Sequence, residues 1–260
     1  MSQISRRGSR AFLPLLLVAS LLFSSPLLAQ SPPMIPVGVF SSEPAGKPLP
    51  EGWEPLTFKK IEKHTLYTLV KDEGTTVIRA VANASASGLI REIRIDPREY
   101  PIVHWRWKVD NLLQKGDVHR KEGDDYPARI YIAFEYDGSK LGFFERAKFE
   151  TAKFFYGKYP PLGAINYIWE SKAPKGTIVP NPFTDRVKMI VVESGPEKLD
   201  EWATEERNVC EDYRQAFGDE PPMISGVAIM TDADNTGESA TAYYGDIVFK
   251  KTTEGKQQGD

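Results

Sequence analysis

The sequence has little of the chemistry that usually marks a function. Cys210 is the one cysteine in 260 residues, so no disulfide can form within the chain. Three histidines are too few for a multi-histidine metal site, and no phosphate loop, dinucleotide fingerprint or nucleophile elbow occurs. The formal net charge is -3 with both signs interspersed, which argues against a nucleic-acid surface. Stability must therefore come from packing. The missing motifs argue against a P-loop nucleotide-binding protein, a dinucleotide-dependent enzyme and a hydrolase with a nucleophile elbow.

Long apolar runs are also scarce, apart from one near the start. Residues 11–23 are almost wholly apolar, follow three arginines and precede the small residue Ala29. The run is short and interrupted by Pro14, so it predicts a signal peptide over residues 1–29 and no spanning segment after cleavage. Residues 30–50 are rich in proline, serine and glycine and predict an extended leader. Residues 51–252 then predict one domain, which we expect to be an exported monomer.

Alternating polarity in the remaining chain indicates β-strands. Over residues 101–109, the apolar face carries Val103, Trp105, Trp107 and Val109 and the basic face carries His104, Arg106 and Lys108. Residues 127–136 repeat the pattern, with Ala128, Ile130, Ile132 and Phe134 predicted to point inward. A helical period predicts helices over 141–156 and 202–217, the second ending at Gly218. The fold class predicted is mainly β: a single antiparallel jelly-roll-like β-sandwich with two helical insertions.

The polar faces of the alternating strands predict a ligand groove. They carry Arg79, His104, Arg106, Arg129, Tyr131, Tyr167 and Trp169. If these strands pair side by side, the aromatic rings can stack on sugar C–H faces while the arginines hold hydroxyls or carboxylates. The alternative is a solvated or helix-covered outer face whose aromatics only pack under the helices.

The acidic turn at 232–238 begins like a calcium loop. Its oxygen-bearing residues alternate, but the twelfth position of an EF-hand is Tyr243 in place of a glutamate, so an EF-hand is rejected. A different calcium site using Asp232, Asp234 and Asp246 is one alternative. The other is a tight turn whose Asp and Asn side chains bond their own backbone, with Gly237 at positive φ.

The neighbouring carboxylates Asp124 and Asp125 stand in a charged loop just before the strand that carries Arg129. Two carboxyl groups at a defined separation can act as general acid and base in glycoside cleavage. Adjacent aspartates in a charged loop are more often solvated or act as caps, and the sequence does not separate these two interpretations.

Four segments carry a resemblance to a known family: SASGL at 85–89, HWRWKV at 104–109, GDDYPARIYIAFEY at 123–136 and GVAIMTDADNTGESATAYYGDI at 226–247. They resemble the exported bacterial proteins grouped as domain of unknown function 3047. The resemblance covers roughly residues 50–250 and implies a periplasmic protein of a Gram-negative bacterium, but no activity. The closing strand, residues 243–249, is also similar to the final strand of jelly-roll carbohydrate-binding modules.

The sequence thus predicts binding of a glycan or another polar small ligand on one sheet face. The expected contacts are Arg106, Arg129, Tyr131 and Trp169, with Asp124 and Asp234 at the rim. No catalytic residue is predicted, and no cofactor is expected apart from the calcium alternative. The alternatives are a glycoside hydrolase or polysaccharide lyase on the same scaffold and a structural or assembly protein of the cell envelope.

Overall fold

The computed structural model describes Met1 and residues 34–135 and 163–252. Within these residues the chain is mainly β, with fourteen strands and one α-helix. In chain order they are β1 (Met34–Gly38), β2 (Glu54–Leu56), β3 (Leu66–Asp72), β4 (Thr75–Asn83), β5 (Ala86–Ile95), β6 (Ile102–Val109), β7 (Ala128–Phe134), β8 (Ala164–Glu170), β9 (Ile178–Asn181), β10 (Thr184–Ser194), β11 (Ala203–Asn208), α1 (Val209–Phe217), β12 (Ile224–Asp232), β13 (Ser239–Tyr244) and β14 (Ile247–Lys250). The helix expected over 141–156 lies outside the described residues. No helix of the described residues is long and apolar enough to cross a membrane.

The strands form two seven-stranded sheets that pack as a sandwich. Sheet A contains β1, β3, β4, β6, β11, β13 and β14, and sheet B contains β2, β5, β7, β8, β9, β10 and β12. Pairing is antiparallel in the described residues except between β8 and β10, which run parallel. The predicted antiparallel sandwich is therefore confirmed, with this pair as the exception among the described strands. A parallel pair needs a crossover connection, and here the chain crosses to form β9 on the far side of β10 before returning.

An aromatic seam joins the two sheets. Trp105 of β6 stacks on Tyr167 of β8 with ring centroids 5.3 Å apart, and Trp107 approaches Trp169 at 6.0 Å. All four side chains are fully buried. The two tryptophans of β6 lie in the core as predicted, but the assignment of Tyr167 and Trp169 to a polar outer face is wrong. Every residue of β8 is buried, so alternating polarity does not distinguish its two faces.

The closing strand of sheet A is one strand interrupted by a bulge. β13 and β14 both pair with β6, at Tyr244↔Trp107 and at Val248↔His104. Four residue steps along the closing strand, from Tyr244 to Val248, therefore lie opposite three steps along β6, from Trp107 to His104. The closing strand has one extra residue, and the bulge that accommodates it is at Gly245 and Asp246. β1 pairs with β14, so the predicted leader contributes a strand to sheet A.

The predicted helix over 202–217 is half strand. Residues 203–208 form β11 at the edge of sheet A, paired with β6, and α1 begins only after Asn208. The Asn208 side chain caps α1 by accepting from the backbone N–H groups of Cys210 (3.1 Å) and Glu211 (3.3 Å). Gly218 ends the helix at φ 73°, as predicted. The apolar residues of 209–217 have a helical period. Residues 203–208 have no apolar stripe, and their backbone instead pairs with the backbone of β6.

Candidate functional site

The polar face of β7 points away from the core of the sandwich. Ala128 and Ile130 are buried in the core, as predicted, so Arg129 and Tyr131 lie on the outer face of sheet B. There Arg129 is flanked by Met230 of β12 and by Ile168 of β8. This face, not the sandwich interior, is where the functional groups of β7 are presented.

Two acidic segments meet at Arg129 because of the strand directions. β7 and β12 are antiparallel, so the loop that enters β7 and the turn that leaves β12 lie at the same edge of sheet B. The loop supplies Asp124 and Asp125, and the turn supplies Asp232 and Asp234. We call this cluster the Arg129 site, defined as Asp124, Asp125, Tyr126, Arg129, Tyr131, Asp232 and Asp234.

Arg129 is buried and only partly paired. It is 4% exposed, and its Nη2 donates to Asp232 Oδ2 and contacts Met230 Sδ at 3.3 Å. The guanidinium carbon lies 5.2 Å from the ring centroid of Tyr126 and 5.3 Å from that of Tyr131. Across residues 34–135 and 163–252, Nε and Nη1 find no hydrogen-bond partner. Since buried donors are nearly always satisfied, two nitrogens without a partner on one buried side chain are exceptional.

The loop aspartates are held in place by hydrogen bonds. Asp124 accepts from the Tyr126 hydroxyl at 3.1 Å and from Asn181 Nδ2 at 2.8 and 3.0 Å. Asp125 accepts from Asn235 Nδ2 at 3.1 Å and from the backbone N–H of Thr236 at 2.6 Å. Asp125 therefore ties the loop before β7 to the turn after β12 and fixes the shape of the site.

Burial dominates the electrostatics of the carboxyl groups. It raises the pKa of Asp124, and it raises the pKa of Asp232 well above its ordinary value even though Arg129 opposes this. Burial also raises the pKa of Asp234, and the neighbouring charge of Asp125 adds to the effect. Three carboxyl groups in one cluster thus hold protons more tightly than usual, and a positive charge placed beside them would favour their ionised form.

Three of these carboxylates could bridge a metal ion. Oxygens of Asp125, Asp232 and Asp234 lie within 4.8 Å of one another. The predicted calcium set of Asp232, Asp234 and Asp246 is wrong in its third member, because Asp246 lies in the bulge of sheet A. There it accepts from the Ser41 N–H at 2.9 Å and from the Ser41 hydroxyl at 2.6 Å.

The oxygens of two members of this trio are already engaged. Both oxygens of Asp125 accept from the 232–238 turn, and those of Asp232 accept from the Tyr126 N–H and from Arg129. A calcium ion needs six to eight oxygen ligands and would compete with the guanidinium for Asp232. The turn itself matches the non-metal prediction at Gly237, whose φ is 69°.

Four of the six predicted contact residues come together here: Asp124, Arg129, Tyr131 and Asp234. Arg106 lies instead on the outer face of sheet A, on the opposite side of the sandwich, together with Arg79 and His104. Trp169 lies in the core at 0% exposure and has no face available to a ligand. The predicted single groove is therefore wrong, because β6 and β7 belong to different sheets.

Sequence reasoning missed Tyr126, Asn181 and the role of Asp232. Tyr126 stands between Asp125 and Pro127 in a loop, where no periodicity reveals whether a ring is buried. Asn181 comes from β9, which reaches the site only through the crossover. The arginine partner of Asp232 is 103 residues away in the chain, and only the pairing of β7 with β12 brings the two side chains together.

Comparisons with known proteins concern the fold and the family. No curated protein matches the chain. The glycoside hydrolase domain of Endo-D from Streptococcus pneumoniae R6 is 10% identical, with a TM-score of 0.31 over 76% of this chain and 21% of that chain. A mutant of the family 29 carbohydrate-binding module CBM29-2 is 11% identical, with a TM-score of 0.33 over 84% of this chain and 91% of that chain. Likenesses at these scores carry no argument about function.

The resemblance seen in the sequence is confirmed by a family model. The model described as "Protein of unknown function (DUF3047)" matches residues 51–248, about three quarters of the chain, and so the protein belongs to this family.

Proposed function

We propose that this protein binds a glycan or another polar small ligand at the Arg129 site. The observation that carries the proposal is the buried guanidinium of Arg129, whose Nε and Nη1 lack partners in the described residues. Leaving a charged group buried with unmade hydrogen bonds is costly, which favours a site where the missing acceptors come from a ligand. A few convergent polar groups among aromatic side chains are typical of small-molecule sites.

The surroundings of Arg129 suit a hydroxyl-rich ligand. Tyr131 and Asp234 are half-buried and Asn235 is exposed, so they form the solvent side of the site. Ring hydroxyls can donate to Asp234 while their oxygens accept from Arg129, and the Tyr131 ring offers an apolar surface beside them.

The proposal includes the location and form of the protein. On the pattern of residues 1–29 it is exported to the periplasm, and it acts there as a monomeric jelly-roll-like sandwich. Cell fractionation with mass spectrometry of the mature N-terminus tests this part: cleavage after Ala29 and recovery in the periplasm are expected.

The binding proposal is tested with Arg129→Lys, which keeps the charge but removes the planar fork of donors. Isothermal titration of the mature protein against a panel of mono- and oligosaccharides is expected to find a ligand whose affinity falls at least about tenfold in the variant. Arg106→Lys on sheet A is the matched control and leaves that affinity unchanged. Because Arg129→Lys perturbs a buried pair, Tyr131→Leu at the half-buried rim provides a second variant, with a several-fold loss expected.

Two results contradict the proposal. One is a panel in which no saccharide or other polar small molecule binds the folded protein. The other is binding that Arg106→Lys weakens and that Arg129→Lys and Tyr131→Leu leave unchanged, which would move the ligand to sheet A.

The raised pKa of Asp124 favours a second candidate function, cleavage of a glycosidic bond by a hydrolase or lyase. A general acid needs a pKa raised toward the working pH, and burial shifts Asp124 in that direction. A reducing-end assay on every saccharide that binds separates the two functions. Product release that Asp124→Asn abolishes, with binding retained, would assign an enzyme; bound saccharides that remain intact would assign a binding protein.

A further inference from the structure

The Arg129 site has more negative than positive charge. Its four aspartates face one guanidinium, so with all groups ionised its formal charge is −4 + 1 = −3. A second cation, Lys115, contacts the 232–238 turn, where its Nζ donates to the backbone carbonyl of Thr236 at 2.9 Å. A ligand entering this site therefore meets an environment that favours positive charge.

The carboxyl groups interact with each other as well as with Arg129. Asp125 and Asp124 each disfavour the ionised form of Asp232, and Asp125 does the same for Asp234. Among the residues that the structure describes, Arg129 is the cation that counteracts this at Asp124, Asp232 and Asp234. A second positive group placed among these oxygens would relieve their mutual repulsion, whereas a carboxylate would increase it.

Arginine alone would suggest the opposite ligand. A guanidinium often marks recognition of a carboxylate or phosphate, through two parallel hydrogen bonds. Here Asp232 already takes Nη2, and the charges of Asp124 and Asp234 also interact with the guanidinium. Nε and Nη1 are better matched by neutral acceptors, such as hydroxyl or ring oxygens, than by another anion.

We infer that the ligand of the Arg129 site carries no negative charge and that an ammonium group strengthens its binding, which points to amino sugars over acidic sugars. The inference rests on the proposed function and names the class of ligand for the same site. Neutral oxygens of the sugar accept from Nε and Nη1 of Arg129. The ammonium donates to the carboxylate of Asp234, which is half-buried and borders the solvent.

The test uses three matched sugars: glucosamine, glucose and glucuronate. Titration calorimetry of the mature protein at pH 7, at fixed ionic strength and with a chelator present, is expected to give glucosamine an affinity about tenfold above glucose, with glucuronate weakest. Raising the salt concentration should narrow the gap between glucosamine and glucose, since the preference is electrostatic.

Asp234→Asn separates the charge effect from the fold. It removes one negative charge at the solvent side without touching Arg129, so the glucosamine-to-glucose affinity ratio should fall toward one. The control is Asp246→Asn, a half-buried aspartate in the bulge of sheet A, which leaves the ratio unchanged.

The failures of the inference and of the proposed function are distinguishable. If glucuronate binds most tightly, or if Asp234→Asn leaves the ratio unchanged, the inference is overturned while sugar binding at the site stands. If none of the three sugars nor any member of the wider panel binds, the proposed function falls and the inference with it. Stabilisation by calcium in the absence of chelator, lost in Asp234→Asn and matched by no sugar, would assign the carboxylates to a metal and also overturn the inference.

Discussion

Arg106 and Arg129 occupy equivalent places on the two outer faces of the sandwich, and their surroundings differ. Arg106 on sheet A is half-buried, with its guanidinium carbon 4.3 Å above the ring centroid of Trp202. Its side chain crosses Gly245, where a Cβ atom would lie 2.5 Å from Arg106 Cγ. Arg129 on sheet B is 4% exposed, lies near two tyrosine rings and is paired with Asp232. Both are outward residues of alternating strands.

The difference arises from what covers each face. On sheet B, the loop before β7 and the crossover after β8 fold over the outer face, where Val118, Tyr126 and Ala173 pack against Ile168 and Met189. Burial by these segments turns an ordinary outward arginine into a desolvated charge that depends on its partners. Alternation in a strand therefore tells which side a residue is on, and the connections decide whether that side meets solvent.

The largest expected effect comes from breaking the buried pair of sheet B. Asp232→Ala leaves Arg129 charged and buried without its carboxylate, so the free energy of unfolding should fall by about 3–5 kcal/mol. Urea unfolding followed by tryptophan fluorescence measures the change. Asp246→Ala, which removes a half-buried aspartate bonded to Ser41, is the control and should cost about 1 kcal/mol. Equal losses in the two variants would contradict the contrast between the faces.

A smaller loss is expected on sheet A, where the equivalent ion pair is less buried. Asp72 accepts from Lys108 Nζ at 2.7 and 2.9 Å and from Trp202 Nε1 at 2.8 Å, with its side chain 20% exposed. Asp72→Ala should therefore lower the free energy of unfolding by about 2 kcal/mol, since water can partly solvate the Lys108 ammonium left behind.

Asp110→Ala is the matched control for this pair. Asp110 is half-buried on the same sheet and accepts one hydrogen bond, from the Tyr243 hydroxyl at 3.3 Å. The same urea experiment should show a loss below about 1 kcal/mol. A cost for Asp72→Ala as large as that of Asp232→Ala would show that burial does not separate the faces.

Much of the fold could be predicted from local patterns. The inward tryptophans of β6 and the alternation of β7 follow from a two-residue period, and Gly218 marks the helix end. The prediction that Trp169 lies on an outer face failed because β8 is covered on both sides. The polarity of its residues, AINYIWE, therefore does not show which of them point into the core. The helix prediction failed for residues 203–208 because strand formation there depends on pairing with β6 more than on the local sequence.

The site could be predicted in part, for a related reason. Arg129 and Tyr131 share one strand face, and Asp124 precedes that strand by four residues, so local reasoning groups them correctly. Arg106 was grouped with them only because its strand has a similar pattern. Whether β6 and β7 are neighbours in one sheet depends on the topology of the fold, and the alternation of residues within each strand does not show it. The same holds for Asp232, which reaches Arg129 through the pairing of β7 with β12.

Glu205 of β11 is half-buried beside Glu193 of β10 and extends the comparison to a carboxyl group beside another carboxyl group. Burial, followed by the charge of Glu193, raises the pKa of Glu205 from 4.5 to about 7. The protonated form is thus favoured by folding, so this stabilisation is complete below about pH 4.5 and is lost as the pH rises through 7. The neutral variant Glu205→Gln should be more stable than the native protein by about 1–2 kcal/mol at pH 8, after allowance for its partial exposure.

Thermal or urea unfolding between pH 5 and pH 8 checks the sign of this effect. The advantage of Glu205→Gln should shrink steadily as the pH falls toward 5. Glu206→Gln, on the exposed face of the same strand, is the control and should show no such trend. A stability difference between Glu205→Gln and the native protein that does not vary with pH would contradict the raised pKa of Glu205.

The smallest effect is expected for Arg106 itself, and it tests the comparison most directly. Arg106→Ala removes a partly solvated cation–π contact with Trp202, worth about 0.5–1 kcal/mol, and leaves no charge buried without a partner. Urea unfolding should therefore show a loss below about 1 kcal/mol, and the affinity for any sugar bound at the Arg129 site should not change. A larger loss, or a loss of sugar binding, would mean that the face of sheet A is as specialised as that of sheet B. Two outward arginines would then differ in their neighbours but not in what they do, and coverage by connecting segments would no longer explain why one of them forms a site.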